Sequence, residues 1–532
     1  PALSRGLWPA VASYRRGRGR LGPGGHRWRH GRPQGARPGA GHGSHLVPCC
    51  CTVTAAVPNP LASTAAARPQ HVVLLAGNAT LTATALLQAV CRRAAMWAAQ
   101  GVKPGDTVAL VGPADLDFVV GLHALGWLGA AVAPLLATAP NPALQQQLRL
   151  VQATALVIGS GLDGAEVTRL TAIAAAADVP CIKAMPAQGT AGDNATAVAE
   201  RFWPLDEVRL VLLSSGTTGA PHVVPVTTGQ LLFSAFGSAT RLGHLPGDRW
   251  LCCLPLHHIG GLSILFRALW FGASVQLAAP FDAAAVAAAL DQGGITLTSL
   301  VPQMLAQVLA SRAAKPFPQA LRAILLGGAP TPGALLERCR QRQVPVCVTW
   351  GMSETASQVA TTWPGDWDGP GDCGPPLPFV RVQVPGPDAS GSLQVWGPVV
   401  HQASMVTRDI GSVDATGRVR VHGRDDDLII SGGENIAPFE VESVLLAYPG
   451  IKDAAVVGRA DARWGERPVA VLVAAAGMRP DDAALVAWCR GSLATFKVPA
   501  QFIWCDALPR DALGKLRRKQ VLPLLHQGVG DV

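Results

Sequence analysis

The sequence predicts an α/β fold: a large N-terminal layered α/β domain with mostly parallel sheets, followed by a small mobile C-terminal α/β lid domain. Two observations predict it. From about residue 70, short apolar runs alternate with longer amphipathic ones, the pattern of strands joined by helices that cover the sheet. After GRVRVHGRDDDL (417–428) that alternation restarts in a smaller set of elements. A chain of 532 residues with 49% hydrophobic content is long enough to bury a core in each of two domains.

Residues 1–69 come first and read as a disordered or targeting leader. They are rich in Arg, Gly, Pro, Ala and Ser, and the first acid of the chain is Asp106. This composition fits a transit peptide and suggests a chloroplast protein, with a cytoplasmic or peroxisomal one as alternatives. Residues 1–50 hold nine arginines and no acid, which accounts for the whole formal charge of +9, so the remainder is neutral and carries no bias toward nucleic acid. Twelve cysteines without a CxxC pair argue for a reducing compartment.

The N-terminal domain is expected over 70–425. The longest uncharged stretch, FVVGLHALGWLGAAVAPLL (118–136), approaches membrane-span length, but His123, its small residues and its proline make it a buried helix running into a strand. Strands ALVIG, PCIKA, WLCCLP, SVQLA and TLTSL then alternate with helical runs such as EVTRLTAIAAAAD, IGGLSILFRALWFG and PQMLAQVLA. The lid, 426–532, reads as helix FEVESVLLAY, strands DAAVVGRA and RPVAVLVAAA, helix DDAALVAWCRGSLA and strand QFIWC. Val441, Val444, Leu445 and Tyr448 share one face of the first of these helices, which Pro449 and Gly450 stop.

Between the apolar runs RLVLL and VVPV lies SSGTTGAPH, residues 214–222. Gly216 and Gly219 free the backbone to point successive N–H groups into one concavity, and Ser214, Ser215, Thr217 and Thr218 add hydroxyls, an arrangement suited to a phosphate chain. It is not a GxxxxGK[ST] loop, and a strand rather than a helix follows it.

This stretch resembles the phosphate-binding signature of the adenylate-forming superfamily, which holds acyl-CoA synthetases, luciferases and peptide-synthetase adenylation domains. In the usual form the signature ends in Pro-Lys; here it ends in Pro221-His222. LPLHHIGG (254–261), LLGGAP (325–330), WGMSETASQ (350–358), TRDIG (407–411), GRDDDLIISGGENIAPFEVE (423–442) and LPRDALGKLRRK (508–519) follow in the superfamily's order and extend the resemblance from about residue 70 to the end. Within the superfamily, WLCCLPLHHIGGLSILFRALWFGA, TLTSLVPQML, LRAILLGGAPTP and DARWGERPVAV are similar to the o-succinylbenzoate:CoA ligases of menaquinone and phylloquinone synthesis.

The resemblance implies a two-step reaction with ATP, Mg²⁺ and CoA: a carboxylate attacks the α-phosphate to give an acyl adenylate, and the CoA thiol then displaces AMP. It implies an acid–thiol ligase for o-succinylbenzoate, or a CoA ligase for another aryl or fatty acid. Glu354 would be the Mg²⁺ ligand, with Ser353 at the phosphates and Trp350 and Gly351 at the adenine. Gly327, Gly328 and Ala329 would form the adenine shelf. Asp409 would bind the ribose hydroxyls, with Arg424 beside it. Lys515 would be the catalytic lysine, His258 would guard the acyl pocket, and Asp426 would be the hinge of the lid. Gly432 and Gly433 would border the pantetheine channel. Arg267, in the otherwise apolar helix LSILFRALW, and Ser357 occupy positions suited to the second carboxylate of the acid. His257 stands where a Phe is usual. The partners implied are small molecules only, and nothing in the sequence bears on oligomeric state.

Overall fold

The computed structural model describes residues 55–183, 200–215, 221–386, 390–475, 478–511 and 514–526. Residues 1–54 therefore lie outside the described residues, as do Gly216, Thr217, Thr218 and Gly219 of the phosphate loop.

The folded part starts earlier than the boundary at residue 70 read from composition. Asn59 caps the helix Pro60–Ala67 with its side-chain oxygen, and that helix buries Leu61 and Ala65 in the main core. Two sheets follow, both mostly parallel. The first has six strands in the order Pro221–Thr227, Val208–Ser215, Ala131–Leu135, Thr107–Val111, Ala155–Ile158, Cys181–Lys183. The second has eight, in the order Ser357–Thr361, Val346–Met352, Ala323–Leu326, Leu297–Leu300, Arg249–Cys252, Ser274–Leu277, Val72–Ala76, Ala79–Thr82.

The strands are near-continuous Val, Leu, Ile and Ala because helices cover their faces, as parallel sheets require. The uncharged stretch resolves as expected: the helix Leu116–Leu128 is almost wholly buried, Gly129 ends it in a left-handed cap, and the strand Ala131–Leu135 follows. Among the described residues no helix is long and apolar enough to cross a membrane.

One element has no counterpart in the sequence reading. Arg381–Gln383, Gly391–Trp396, Ser404–Val413 and Val419–Arg424 form a four-stranded antiparallel sheet that carries Asp409 and Arg424 as cross-strand partners. Its strands bury only alternate residues, so they lack the solid apolar runs that mark the parallel strands.

Beyond it, Ile429–Ser431, Glu434–Ile436, Ile451–Asp461, Gly465–Ala474 and Gln501–Trp504 form the sheet of the C-terminal region, with helices Pro438–Leu446 and Asp482–Arg490. Two hydrophobic clusters drawn entirely from residues 429–525 sit on its two faces.

Candidate active site

Three segments converge at the C-terminal edges of the strands: the end of Val208–Ser215 with the start of Pro221–Thr227, the end of Val346–Met352 with the turn after it, and the Asp409–Arg424 strand pair. Ligand sites of open α/β sheets form at such edges.

The turn Ser353–Thr355 carries Glu354 and doubles back into the strand Ser357–Thr361. Gly351 is required there, because a Cβ would collide with the Ser357 carbonyl oxygen. Ala356 and Ser357 take positive φ of 51° and 109°, a local strain that the surroundings must hold. The helix Thr228–Leu242 holds it. The Gln230 side chain donates to the Glu354 carbonyl at 3.0 Å and to the Val399 carbonyl at 2.9 Å, while the Ser234 hydroxyl donates to the Ala356 carbonyl at 2.8 Å.

Sequence reasoning missed both residues. The signal for Gln230 was present: Thr227 and Gln230 have the spacing of a capping box, and in the structure they form one.

The Glu354 carboxylate points back to the phosphate loop. Its Oε1 lies 2.9 Å from His222 Nε2, and the Ser214 hydroxyl lies 2.8 Å from Nδ1 and 2.7 Å from Nε2 of the same ring. The imidazole is half exposed, so it is reachable from solvent. Glu354 with the hydroxyls of Ser353 and Ser214 offers hard oxygens that suit Mg²⁺. Among the described residues no group of three or more His, Cys, Asp or Glu side chains is placed to hold a metal ion.

Asp409 is partly buried beside Trp350, whose indole N–H donates to its carboxylate at 2.7 Å. Burial pushes the Asp409 carboxyl above its ordinary range, and the indole, Arg424 and Lys515 pull it back. Arg424 lies 3.7 Å from Asp409 and donates to Asp426 at 3.1 Å. Asp426 also receives Arg408 at 3.4 Å, so the expected hinge residue is tied to both sides of the strand pair. Gly327, Gly328 and Ala329 follow the strand Ala323–Leu326, which pairs with the strand that carries Trp350 and Gly351.

His258 stands at the N-cap of the helix Ile259–Phe271, with the His257 ring 4.2 Å away, centroid to centroid. Burial pushes each imidazole down to about 4, so both are neutral near pH 7. Further along that helix Arg267 is 1% exposed, and none of its three guanidinium nitrogens has a hydrogen-bond partner among the described residues. Burial pushes it down to about 9. The Trp250 ring lies 5.8 Å from it and is its aromatic neighbour.

Gly432, with φ 62°, serves the fold as well as any channel: a Cβ would come 2.7 Å from the Trp464 ring. Gly433, with φ 86°, has open space around its Cβ position.

The His222–Glu354 pair and the Asp409–Arg424 strand pair meeting at the sheet edges have the arrangement of an adenylating enzyme. The chain belongs to the AMP-binding enzyme family, whose model matches residues 61–403, and the family's C-terminal domain matches 440–515. A 2-succinylbenzoate–CoA ligase of Geobacillus kaustophilus is 35% identical, over 88% of this chain and 98% of its own length. The o-succinylbenzoate CoA synthetase of Bacillus subtilis, solved with its acyl-adenylate intermediate, is 33% identical over 88% of this chain and 98% of that one, with a TM-score of 0.78. The same enzyme solved with ATP and a magnesium ion superposes with a TM-score of 0.79, at 33% identity over 88% of this chain and all of that one.

These relatives correct one expectation. They come from bacteria, which have no chloroplast, so the plastid placement read from the arginine-rich N-terminal stretch does not stand.

Proposed function

We propose that the chain joins 2-succinylbenzoate to CoA in two steps, forming an acyl adenylate from ATP and then the thioester, in menaquinone synthesis. Arg267 carries the choice of acid. A fully buried guanidinium without a partner is costly unless an anion completes it, and a dicarboxylic acid brings one carboxylate to react and a second to pair. Ser357, at the strained turn beside Glu354, is the proposed hydroxyl partner of the same carboxylate.

Ser214, His222 and the backbone of the 214–222 loop receive the triphosphate. Asp409 takes the ribose hydroxyls, with Arg424 at its side, and Trp350 and the 327–329 shelf enclose the adenine. Glu354 and Ser353 hold the magnesium ion, which when bound supplies charge neutralisation for the phosphates. Neutral His258 closes the acyl pocket and orients the reacting carboxylate by hydrogen bonding, since it carries no charge to attract it.

Lys515 lies close enough to Asp409 for its charge to act there, which supports its role at the α-phosphate with the lid in this position. We take 426–532 as the lid and Asp426 as its hinge. After adenylation the lid turns, withdraws Lys515 and brings Gly432 and Gly433 to the thiol channel.

The test is pyrophosphate exchange into ATP. Exchange that depends on 2-succinylbenzoate and is lost in Lys515→Ala supports the reading. Exchange driven equally by a simple fatty acid, or unchanged in Lys515→Ala, contradicts it.

A further inference from the structure

Lys515 sits on a tight turn whose shape is set from outside the turn. The turn closes on itself: Asp511 N–H donates to the Lys515 carbonyl at 2.9 Å, Lys515 N–H donates to the Asp511 carboxylate at 2.9 Å, and Arg510 and Leu516 pair as an isolated bridge. Gly514, at φ 74°, is the residue that lets the chain reverse just before the lysine.

One side chain ties this turn to the lid sheet. Arg510 Nη1 donates to the Gly514 carbonyl at 2.7 Å, while its Nε and Nη2 form a two-pronged contact with Asp453 at 3.1 and 2.6 Å. Asp453 belongs to the long strand Ile451–Asp461, which pairs along its length with the central strand Gly465–Ala474 of the lid sheet. All three guanidinium nitrogens are thus engaged, two on one carboxylate and one on the peptide that precedes the lysine. On the other side the turn meets the N-terminal domain, where Gly514 lies against the Gln303 side chain at the start of the helix Pro302–Ser311.

We infer that Arg510, anchored by Asp453, is a positioning residue for the adenylation step: it fixes the backbone from which Lys515 reaches the α-phosphate. A four-carbon cationic side chain searches a wide volume from a loose turn and a narrow one from a bracketed turn. A displacement of about 1 Å at such a site costs on the order of 10²-fold in rate. The bracket moves with the lid, so it has no work to do once Lys515 has left and thiol attack begins.

The inference rests on Lys515 acting in adenylation, and a double-mutant cycle separates the two claims. Arg510→Gln is expected to lower the rate of acyl-adenylate formation about 10- to 100-fold, to leave KM for ATP within about threefold, and to leave thioester formation from supplied acyl adenylate within about twofold. In a Lys515→Ala background the same change is expected to add nothing, because the bracket would then position an alanine. Asp453→Asn keeps an acceptor but loses the charge, so a smaller loss in the same half-reaction is expected, with thermal unfolding as the check on folding. Full adenylation in Lys515→Ala would overturn the functional reading. A loss in Lys515→Ala to which Arg510→Gln adds independently, or equal loss in both half-reactions for Arg510→Gln and Asp453→Asn, would overturn the positioning role alone.

Discussion

Replacing Arg267 by methionine should make the protein more stable and less selective at once. The guanidinium is 1% exposed, none of its nitrogens has a hydrogen-bond partner among the described residues, and burial pushes it down to about 9. At about 1.4 kcal/mol for each tenfold step in acidity, holding that charge in the free enzyme costs on the order of 5 kcal/mol. Methionine fills a similar length without charge. Such replacements of poorly compensated buried ions are worth about 1–4 kcal/mol to the fold, so the unliganded variant should melt a few degrees higher.

With substrate bound the sign reverses. A carboxylate opposite Arg267 recovers the cost, and the variant would leave that carboxylate buried without a partner, at about 3–5 kcal/mol, or roughly 10²- to 10⁴-fold in kcat/KM. The assay has two arms: calorimetry of the free protein, and initial rates of AMP release with 2-succinylbenzoate and with its two monocarboxylate analogues. The expected result is a higher Tm, a large loss with the dicarboxylate and a small one with the analogue that lacks the pairing carboxylate. A lower Tm together with the same proportional loss for all three acids would refute the reasoning.

Three other outcomes are expected. Burial holds His123, His257 and His258 down at about 4 and His244 at about 3, against 6.5 for the free side chain, so between those values the unfolded chain binds more protons than the folded one. Stability should be full above pH 6.5 and fall as pH drops toward 4, by up to about 1.4 kcal/mol per pH unit for each histidine; urea midpoints that stay level from pH 7 to 5, or the same slope in His123→Phe/His244→Phe, would contradict this. His222→Lys puts a permanent cation beside Glu354 and the phosphate loop, and KM for ATP should drop about fivefold with kcat unchanged, whereas an unaltered KM would mean that His222 does not meet the nucleotide. Gly433→Leu should spare adenylation and cut thioester formation at least tenfold; its φ of 86° strains any side chain placed there, so Tm should fall, and fall further in Gly432→Leu, which also meets the Trp464 ring; equal loss in both half-reactions for Gly433→Leu would count against the channel assignment.

The parallel core was legible because buried strands such as Ala155–Ile158 and Leu297–Leu300 are unbroken apolar runs between amphipathic helices. The sheet bearing Asp409 was not, since Gly391–Trp396 and Ser404–Val413 bury only alternate residues and have no apolar block to announce them. Asp409 and Arg424 were picked out by motif, yet their cross-strand pairing and the Trp350 indole that holds Asp409 depend on contacts across 15 and 59 positions, which local pattern does not encode. Gln230 and Ser234 were missed for a related reason. They act by holding the backbone of a distant turn, and such residues look like ordinary helix polars until the turn is in place. The helix Pro60–Ala67 was lost in a leader read from composition, because one short alanine-rich helix between prolines does not change the average of a 69-residue window.

The most direct measurement is the product of a single reaction containing the protein, ATP, Mg²⁺, CoA and 2-succinylbenzoate, analysed by mass spectrometry with AMP counted against thioester. The account predicts 2-succinylbenzoyl-CoA and AMP in equal amounts, with no product when ATP is left out and far less when the acid lacks its second carboxylate. ADP in place of AMP, or a thioester formed as readily from a monocarboxylic acid, would contradict it.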